Sequence, residues 1–493
     1  MTDAAAPVPD LAGIPASIPA TDPLAPYDAV LLLSYGGPRR PEDVLPFMRN
    51  ATAGRGVPDS RLLEVSGHYQ GFGGASPINA RNAELRDALQ ARLAERGSTL
   101  PVVVGNRNWH PFVSQALREL ADTGARHVLA LPTAAFGSYS GCRQYREDLA
   151  GAVALLAAGA DGSTGDGFEA DAAARVGGEG GAPVDLTVDK TRPYYNTPGL
   201  LEANVDAIVE AYGTLAEQGV AAADVRLVLV THSIPLGMEA GSAPTPESDG
   251  ASESAGAGQP AGRPAGPREP GVTADLSTEV SYVAQHRALA AVLVPEVARR
   301  LGLEEVESDL VYCSRSGPPQ ARWLEPDVND HLEALAVGQL TDGSPADRPG
   351  GVVVAPFGFI SDHMEVVFDL DTEAAQTARD LGMPYARAAT VGTHPAFVDS
   401  LVDILIERAA VARGEDVHPA STTGVGPFHT VCPPSCCRPG THHPGRHSRH
   451  GADGAAHESA AGHQPAADGS CRPASAEPES LKPASCGRMK EKR

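Results

Sequence analysis

Short apolar runs recur along the chain, and each stops at small or turn-forming residues. The first covers 28–34 (DAVLLLS) and ends at Tyr35-Gly36-Gly37-Pro38. A continuous apolar run of this length reads as a strand of a parallel sheet, buried on both faces. Comparable runs occupy 101–105, 127–132, 225–230, 309–312 and 351–356. Stretches with helical spacing lie between them, at 79–96, 111–123, 198–218, 282–300 and 372–381, and a last one spans 395–413. Strands alternating with helices predict an α/β fold with parallel sheets. A Gly-rich stretch near 157–183 splits the strands into two groups. The pattern therefore predicts two doubly wound parallel-sheet domains with a cleft between them, over 27–184 and 185–413.

Four segments break the pattern. Residues 1–26 are interrupted by prolines and lack a basic start, so they read as a disordered arm and not a secretory signal. Segment 239–272 is Ser, Gly, Pro and Ala with almost no large apolar residue, and is expected to be a disordered insertion. The tail, 414–493, is rich in Cys, His, Pro and Gly and is expected to be disordered. The chain's 53 glycines and 43 prolines concentrate in these three segments and in 157–183. Removing them leaves roughly 330 residues, which suits two domains of ordinary size.

Composition narrows the function. Of 493 residues, 39 are Lys or Arg and 62 are Asp or Glu, a net charge of −23. Such a balance disfavours binding to nucleic acid or to an anionic membrane. No apolar run approaches the ~18 residues of a membrane-spanning helix, so a soluble, cytoplasmic protein with no membrane span is expected. The seven cysteines are an odd number, which argues against a complete disulfide framework. Cys142 and Cys313 lie in patterned segments, whereas Cys432, Cys436, Cys437, Cys471 and Cys486 lie in the tail. Clustered cysteines in a reducing compartment favour metal binding over disulfides.

In open parallel sheets, ligands bind beyond the carboxyl ends of the strands. His232, in Thr-His-Ser-Ile-Pro, falls at such an end. An imidazole there can accept a proton or bind a metal near neutral pH. Glu365, Asp369 and Glu373 recur every four residues, forming one acidic stripe on a helix. The residues between them offer no basic partner, so the like charges repel. Three carboxylates in file suit a hydrated divalent cation passed along oxygen ligands.

These residues sit in longer motifs. "VLLLSYGGP", "HYQGFGGASPIN", "VTHSIP", "YCSRSGPPQARWLEPDV" and "PFGFISDHMEVVFDLDTE" together closely resemble the ferrochelatases, over about residues 27–412. The resemblance implies a chelatase-like fold that inserts ferrous iron into a porphyrin and releases two pyrrole protons, with no organic cofactor. It implies that His232 faces the macrocycle as proton acceptor or metal ligand, with Glu365 across the cleft. Asp369 and Glu373 would extend from Glu365 as an iron path. Tyr35 is similar to the tyrosine of the Gram-positive type, which lies on the opposite face and can bind iron. That type acts on coproporphyrin III and yields coproheme. Its four propionates would be held by Arg49, Arg55, Ser66 and Tyr69, with Arg55 the favoured donor. The resemblance to actinobacterial-type enzymes also implies a two-iron, two-sulfur cluster on Cys142, Cys432, Cys436 and Cys437, with zinc or free thiols as the alternative. Adjacent Cys436 and Cys437 would then require an unusual chain bend. The expected partners are the porphyrin, ferrous iron and a coproheme-decarboxylating enzyme that takes the product. A protoporphyrin IX ferrochelatase is the second reading, and a non-catalytic haem or iron carrier the third. Tail histidines 442, 443, 447, 450, 457 and 463 suggest either a solubilising tail or a metal-loading one.

Overall fold

The computed structural model describes residues 21–53, 56–159, 182–242, 281–315, 321–433 and 436–439. Two four-stranded parallel sheets form the frame. The first contains β1 (Ala29–Ser34), β2 (Val102–Asn106), β3 (His127–Pro132) and β4 (Thr187–Lys190), in the order β2-β1-β3-β4. The second contains β5 (Val225–His232), β6 (Ser308–Cys313), β7 (Gly351–Ala355) and β8 (Tyr385–Arg387), in the order β6-β5-β7-β8. Each sheet thus has its first strand in the interior and reverses strand order there, the doubly wound arrangement expected.

Strand periodicity explains why β1 is apolar throughout. Ala29, Leu31 and Leu33 point one way, against Val113, Leu117 and Leu120 of the helix Val113–Asp122. Val30 and Leu32 point the other way, against Leu85, Leu89 and Leu93 of the helix Ile78–Glu95. In the second sheet, Val352 and Val354 of β7 pack with Leu332 and Leu370, while Val353 and Ala355 face the opposite side. That opposite side belongs to the same apolar cluster as Val30 and Leu32, so one core is shared by both sheets.

The last helix, Pro395–Ala412, reinforces the junction. Its buried face carries Phe397, Leu401 and Leu405. Although it follows the second sheet, it lies against the helix Ile78–Glu95 of the first. Arg92 bonds Asp399 there, and Arg96 reaches Asp403 at 2.9 Å. Both sheets lie in one compact unit, residues 1–446.

Several boundaries differ from the expected ones. β4 lies beyond residue 184 yet pairs with β3, Val128 opposite Val188, so the first sheet takes its edge strand from beyond the expected boundary. The expected disordered arm, 1–26, ends in packed chain: Leu24 is fully buried, and Asp22 accepts hydrogen bonds from the Leu24 and Thr99 amides. Residues 239–242, expected in the disordered insertion, are packed chain: the helix Leu236–Ala240 continues into buried Ser242. Residues 1–20 and 243–280 lie outside the described residues.

The start of the tail is packed as well. Phe428 is buried against Gly137, Thr430 donates to Glu407 at 2.9 Å, and Asn196 donates to the Gly426 carbonyl at 2.7 Å. Composition suggested otherwise because one anchoring aromatic and a few backbone bonds suffice to dock a Pro- and Gly-rich strap on an existing core. Residues 440–493, with their histidines and Cys471 and Cys486, lie outside the described residues.

Candidate functional site

β5 carries His232 to the cleft, and the groups behind it fix its backbone. The Thr231 hydroxyl lies 2.8 Å from His286 Nε2 and 2.8 Å from the Tyr282 hydroxyl, which donates to the His232 carbonyl at 3.1 Å. His286 Nδ1 lies 2.7 Å from the Tyr282 carbonyl, which only accepts, so Nδ1 is the donor and Nε2 accepts from Thr231. Burial pushes this imidazole down to about 3, so it stays neutral. The loop after β7 passes so close that a Cβ on Gly358 would sit 2.1 Å from Thr231 Oγ1. Glycine is what lets the two strand ends converge.

His232 Nδ1 bonds the Ser233 carbonyl and is therefore protonated, which leaves Nε2 facing the cleft, 3.6 Å from Glu365 Oε2. The same carboxylate oxygen lies 3.7 Å from His363 Nδ1. Burial opposes ionisation of Glu365, but the flanking His232 and His363 outweigh it and bring the carboxyl down to about 2. Burial also works against a charged His232, yet the neighbouring carboxylate prevails and raises its pKa. At His363 burial prevails and the pKa falls. A fixed carboxylate thus stands between one imidazole that takes protons readily and one that stays neutral.

His363 was not singled out from the sequence, because it lies two residues before Glu365 and off the four-residue spacing. The spacing itself leads into a π-helix, Val366–Ala374. Such wide turns recur at functional sites. Asp369 accepts from the Ser314 hydroxyl. Burial, with Glu365 and Glu373 nearby, raises Asp369 to about 7 despite that bond. Burial raises Glu373 too. These oxygens are poorly satisfied as anions, which is the condition a cation relieves. Asp371 points elsewhere and bonds Arg387.

The opposite wall comes from the first sheet. Tyr35 follows β1, held by its carbonyl accepting from the Asn108 amide at 3.1 Å. Gly36 turns the chain with φ +77°, where a Cβ would meet Asn106 at 2.7 Å. The Tyr35 ring is 38% exposed, with its edge toward Phe47 at 6.2 Å. Buried Arg107, bonded to Asp148, lies 5.9 Å from the Tyr35 ring and 4.4 Å from that of Tyr145. Phe47 in turn packs on Tyr69, 6.0 Å between ring centres. Burial pushes the Tyr69 hydroxyl up, and the charges of Glu365, Tyr35 and Asp369 push the same way. Tyr69 is therefore in the field of both walls. His68 and Phe368 stack across the cleft with ring centres 3.9 Å apart.

The other expected substrate contacts are placed differently. Arg49 pairs with Asp59 at 2.6 Å on the exposed side of the helices Val44–Thr52 and Asp59–Gly71. The Ser66 hydroxyl donates to the Leu63 carbonyl at 2.7 Å. Arg55 lies outside the described residues.

A second cluster gathers four thiols. Cys142 lies on a one-turn π-helix, Tyr139–Arg143. Its sulfur exchanges hydrogen bonds with Cys432 and Cys437, and Cys436 does so with the same two. Cys436 Sγ and Cys437 Sγ are 3.5 Å apart. The bend that two adjacent cysteines require is present: Cys437 is in the left-handed region, φ +52°. Hydrogen bonds from Cys432 and Cys437 draw the Cys142 thiol well below its ordinary range, and Lys190 Nζ, 3.4 Å away, adds to this. Arg143 and Arg146 donate to the carbonyls of Cys436, Cys432 and Pro433. Cys313 lies apart, paired in register with His232 across β5 and β6, and burial raises its thiol.

Comparison with known proteins agrees with this geometry. The ferrochelatase family model matches residues 27–409. The chain is 42% identical over 418 residues to the coproporphyrin III ferrochelatase of Streptomyces coelicolor, covering 84% of this chain and 94% of that one. It is 42% identical over 413 residues to the enzyme of the same name from Streptomyces griseus, covering 84% and 94%. For that from Frankia alni the figures are 40% over 440 residues, 89% and 93%. Among solved structures, SirB from Bacillus subtilis with Fe3+ aligns at a TM-score of 0.38 and 12% identity, over 78% of this chain and 97% of that one, too distant to add to the argument. On the match across both sheets and the cleft between them, the chain belongs to the ferrochelatase family.

Proposed function

We propose that the protein inserts ferrous iron into coproporphyrin III, giving coproheme and two protons as a step of haem biosynthesis. The observation that carries the chemistry is the Glu365 carboxylate held between His232 and His363, opposite Tyr35. With Nδ1 committed to the Ser233 carbonyl, His232 presents Nε2 as the acceptor for a pyrrole proton. Glu365 then stabilises the imidazolium so formed. Iron, a substrate here, approaches along Glu373 and Asp369, whose raised pKa values fall when a cation arrives. Tyr35 offers a phenol oxygen from the other face. The sequences named coproporphyrin III ferrochelatase in other bacteria support this choice of porphyrin, as does Tyr35 itself. Tyr69 lines the porphyrin site; Arg49 serves a propionate by exchanging Asp59 for it, and Ser66 and Arg55 serve the remaining propionates.

Cys142, Cys432, Cys436 and Cys437 are proposed to hold a two-iron, two-sulfur cluster. Four sulfurs, of which Cys142 beside Lys190 and Cys436 are drawn toward the thiolate, meet the donor requirement of such a group. When bound, it would supply one-electron redox chemistry. The chain's own part is to join the tail to the first sheet. Among the described residues no helix is long and apolar enough to cross a membrane. We place the enzyme in the cytoplasm, passing its product to a decarboxylating enzyme.

The test is anaerobic ferrous insertion with coproporphyrin III and protoporphyrin IX side by side. Faster turnover of coproporphyrin is expected. Preference for protoporphyrin would overturn the choice of substrate and leave the chelatase chemistry intact. For the cluster, Cys142→Ser is expected to abolish the visible absorption of anaerobically purified protein; an unchanged spectrum would remove Cys142 from the ligand set.

A further inference from the structure

The docked tail carries one more metal-binding side chain than the four thiols require. His429 is flanked by two anchored residues: buried Phe428 under Gly137, and buried Thr430 bonded to Glu407. Its backbone position is therefore set. A nitrogen of His429 and the sulfurs of Cys432 and Cys436 all lie within 4.8 Å of one another. His429 Nε2 is buried without a well-aligned hydrogen bond among the described residues, and the polar neighbour of its ring is the Cys436 thiol, itself one of the three donors.

These donors are a mixed nitrogen and sulfur set from one short stretch, His-x2-Cys-x3-Cys, residues 429–436. Around one tetrahedral ion with a metal–sulfur bond of about 2.3 Å, donors stand about 3.8 Å apart. Donors that already lie within 4.8 Å of one another reach this spacing by small side-chain rotations. Mixed imidazole and thiolate donors select thiophilic divalent cations of the zinc class over magnesium or calcium. Cys437 Sγ lies 3.5 Å from Cys436 Sγ, next to this set and outside it, and becomes a fourth donor by rotation of its side chain.

We propose that His429, Cys432 and Cys436 form a mononuclear site for a thiophilic divalent cation, closed by Cys437 and independent of Cys142. The site shares thiols with the cluster proposed above, so the two occupants exclude each other. It does not rest on the cluster reading, because it needs neither a second iron nor the first sheet's cysteine. The pocket then has two states: a mononuclear one assembled within the tail, and a binuclear one that recruits Cys142.

The experiment uses the full chain, stripped of metal and reduced under anaerobic conditions, with Co2+ as the probe. Wild type is expected to bind one Co2+ with a thiolate-to-cobalt charge-transfer band. The tail beyond residue 440 holds Cys471 and Cys486 besides its histidines, so every protein in the series also carries Cys471→Ser and Cys486→Ser, and the remaining histidines offer only nitrogen and give no such band. Cys142→Ser is expected to keep the band, whereas His429→Ala should weaken Co2+ binding by about tenfold or more. Undiminished binding in His429→Ala, or loss of the band in Cys142→Ser, overturns the proposal. X-ray absorption on the zinc-loaded wild type needs no variant. A shell with one nitrogen among sulfurs is expected, and an all-sulfur shell overturns the proposal. The cluster is read separately, from the spectrum of protein as purified, so either reading can fail alone.

Discussion

At the scale of residues, the site works by unequal treatment of neighbouring groups. Glu365, His232 and His363 share one small space, yet the carboxyl is brought down to about 2, one imidazole is raised and the other lowered. Replacing Glu365 by Gln removes the charge that raises His232. Turnover is expected to fall by about 10²–10⁴-fold, the usual worth of a proton-transfer group. The acid limb of the pH–rate profile should also move to lower pH, since His232 then loses its proton sooner. Stopped-flow metallation across pH checks both. His232 and Glu365 were legible in the sequence because each opens or ends a run with a clear period. His363 and Ser314 were not, because their roles depend on where a second strand end delivers them. The Cys436–Cys437 pair was legible as composition, but only the backbone at Cys437 shows how adjacent thiols turn inward.

At the scale of elements, the catalytic strand end is held by packing as much as by hydrogen bonds. Gly358→Ala would drive a methyl into Thr231, the residue before His232. Overpacking of this kind costs about 1–3 kcal/mol, and the displaced imidazole should lower turnover more than the stability loss explains. Urea unfolding and steady-state rates on one preparation separate the two effects. The helix Tyr282–Leu301 makes a second test available through His286. Its folded pKa of about 3 lies below the ordinary 6.5, so as pH falls the unfolded chain takes up the proton first. The stability this group contributes is complete above pH 6.5 and declines toward pH 3. The urea midpoint is expected to fall between about pH 7.5 and about pH 5, and His286→Gln should flatten part of that slope. The long apolar strands were readable from the sequence. β4 and β8 were not: Thr187-Val-Asp-Lys190 is an edge strand with three of its four positions polar, and Tyr385–Arg387 is too short to show a period. The helices Val44–Thr52 and Asp59–Gly71 were missed because they cover a small satellite cluster of their own.

At the scale of the molecule, two parallel sheets share one core, and the last helix crosses from the second half to the first. Phe397 is fully buried at that crossing. Phe397→Ala is expected to cost about 3–5 kcal/mol and to lower the stability of both halves together. Tyr fluorescence and far-ultraviolet circular dichroism should report one coincident transition, since each sheet has a cluster of its own on one face only and buries the other face in the core they share. The two-domain pattern was readable from hydrophobic runs. The shared core was not, because periodicity marks which face is buried and is silent about what buries it.

The four-thiol pocket draws Cys142 and Cys432 together across 432 − 142 = 290 positions of chain. At ribosomal speeds of about 5–20 residues per second, roughly 15–60 s of synthesis separate the two thiols. During that interval the first sulfur is present without its companions, while the strands and helices of both halves are made and begin to fold. Closure of the pocket is therefore among the latest events in the protein's biogenesis. A filled pocket is a record that translation has passed residue 437 and that the tail has found its seat.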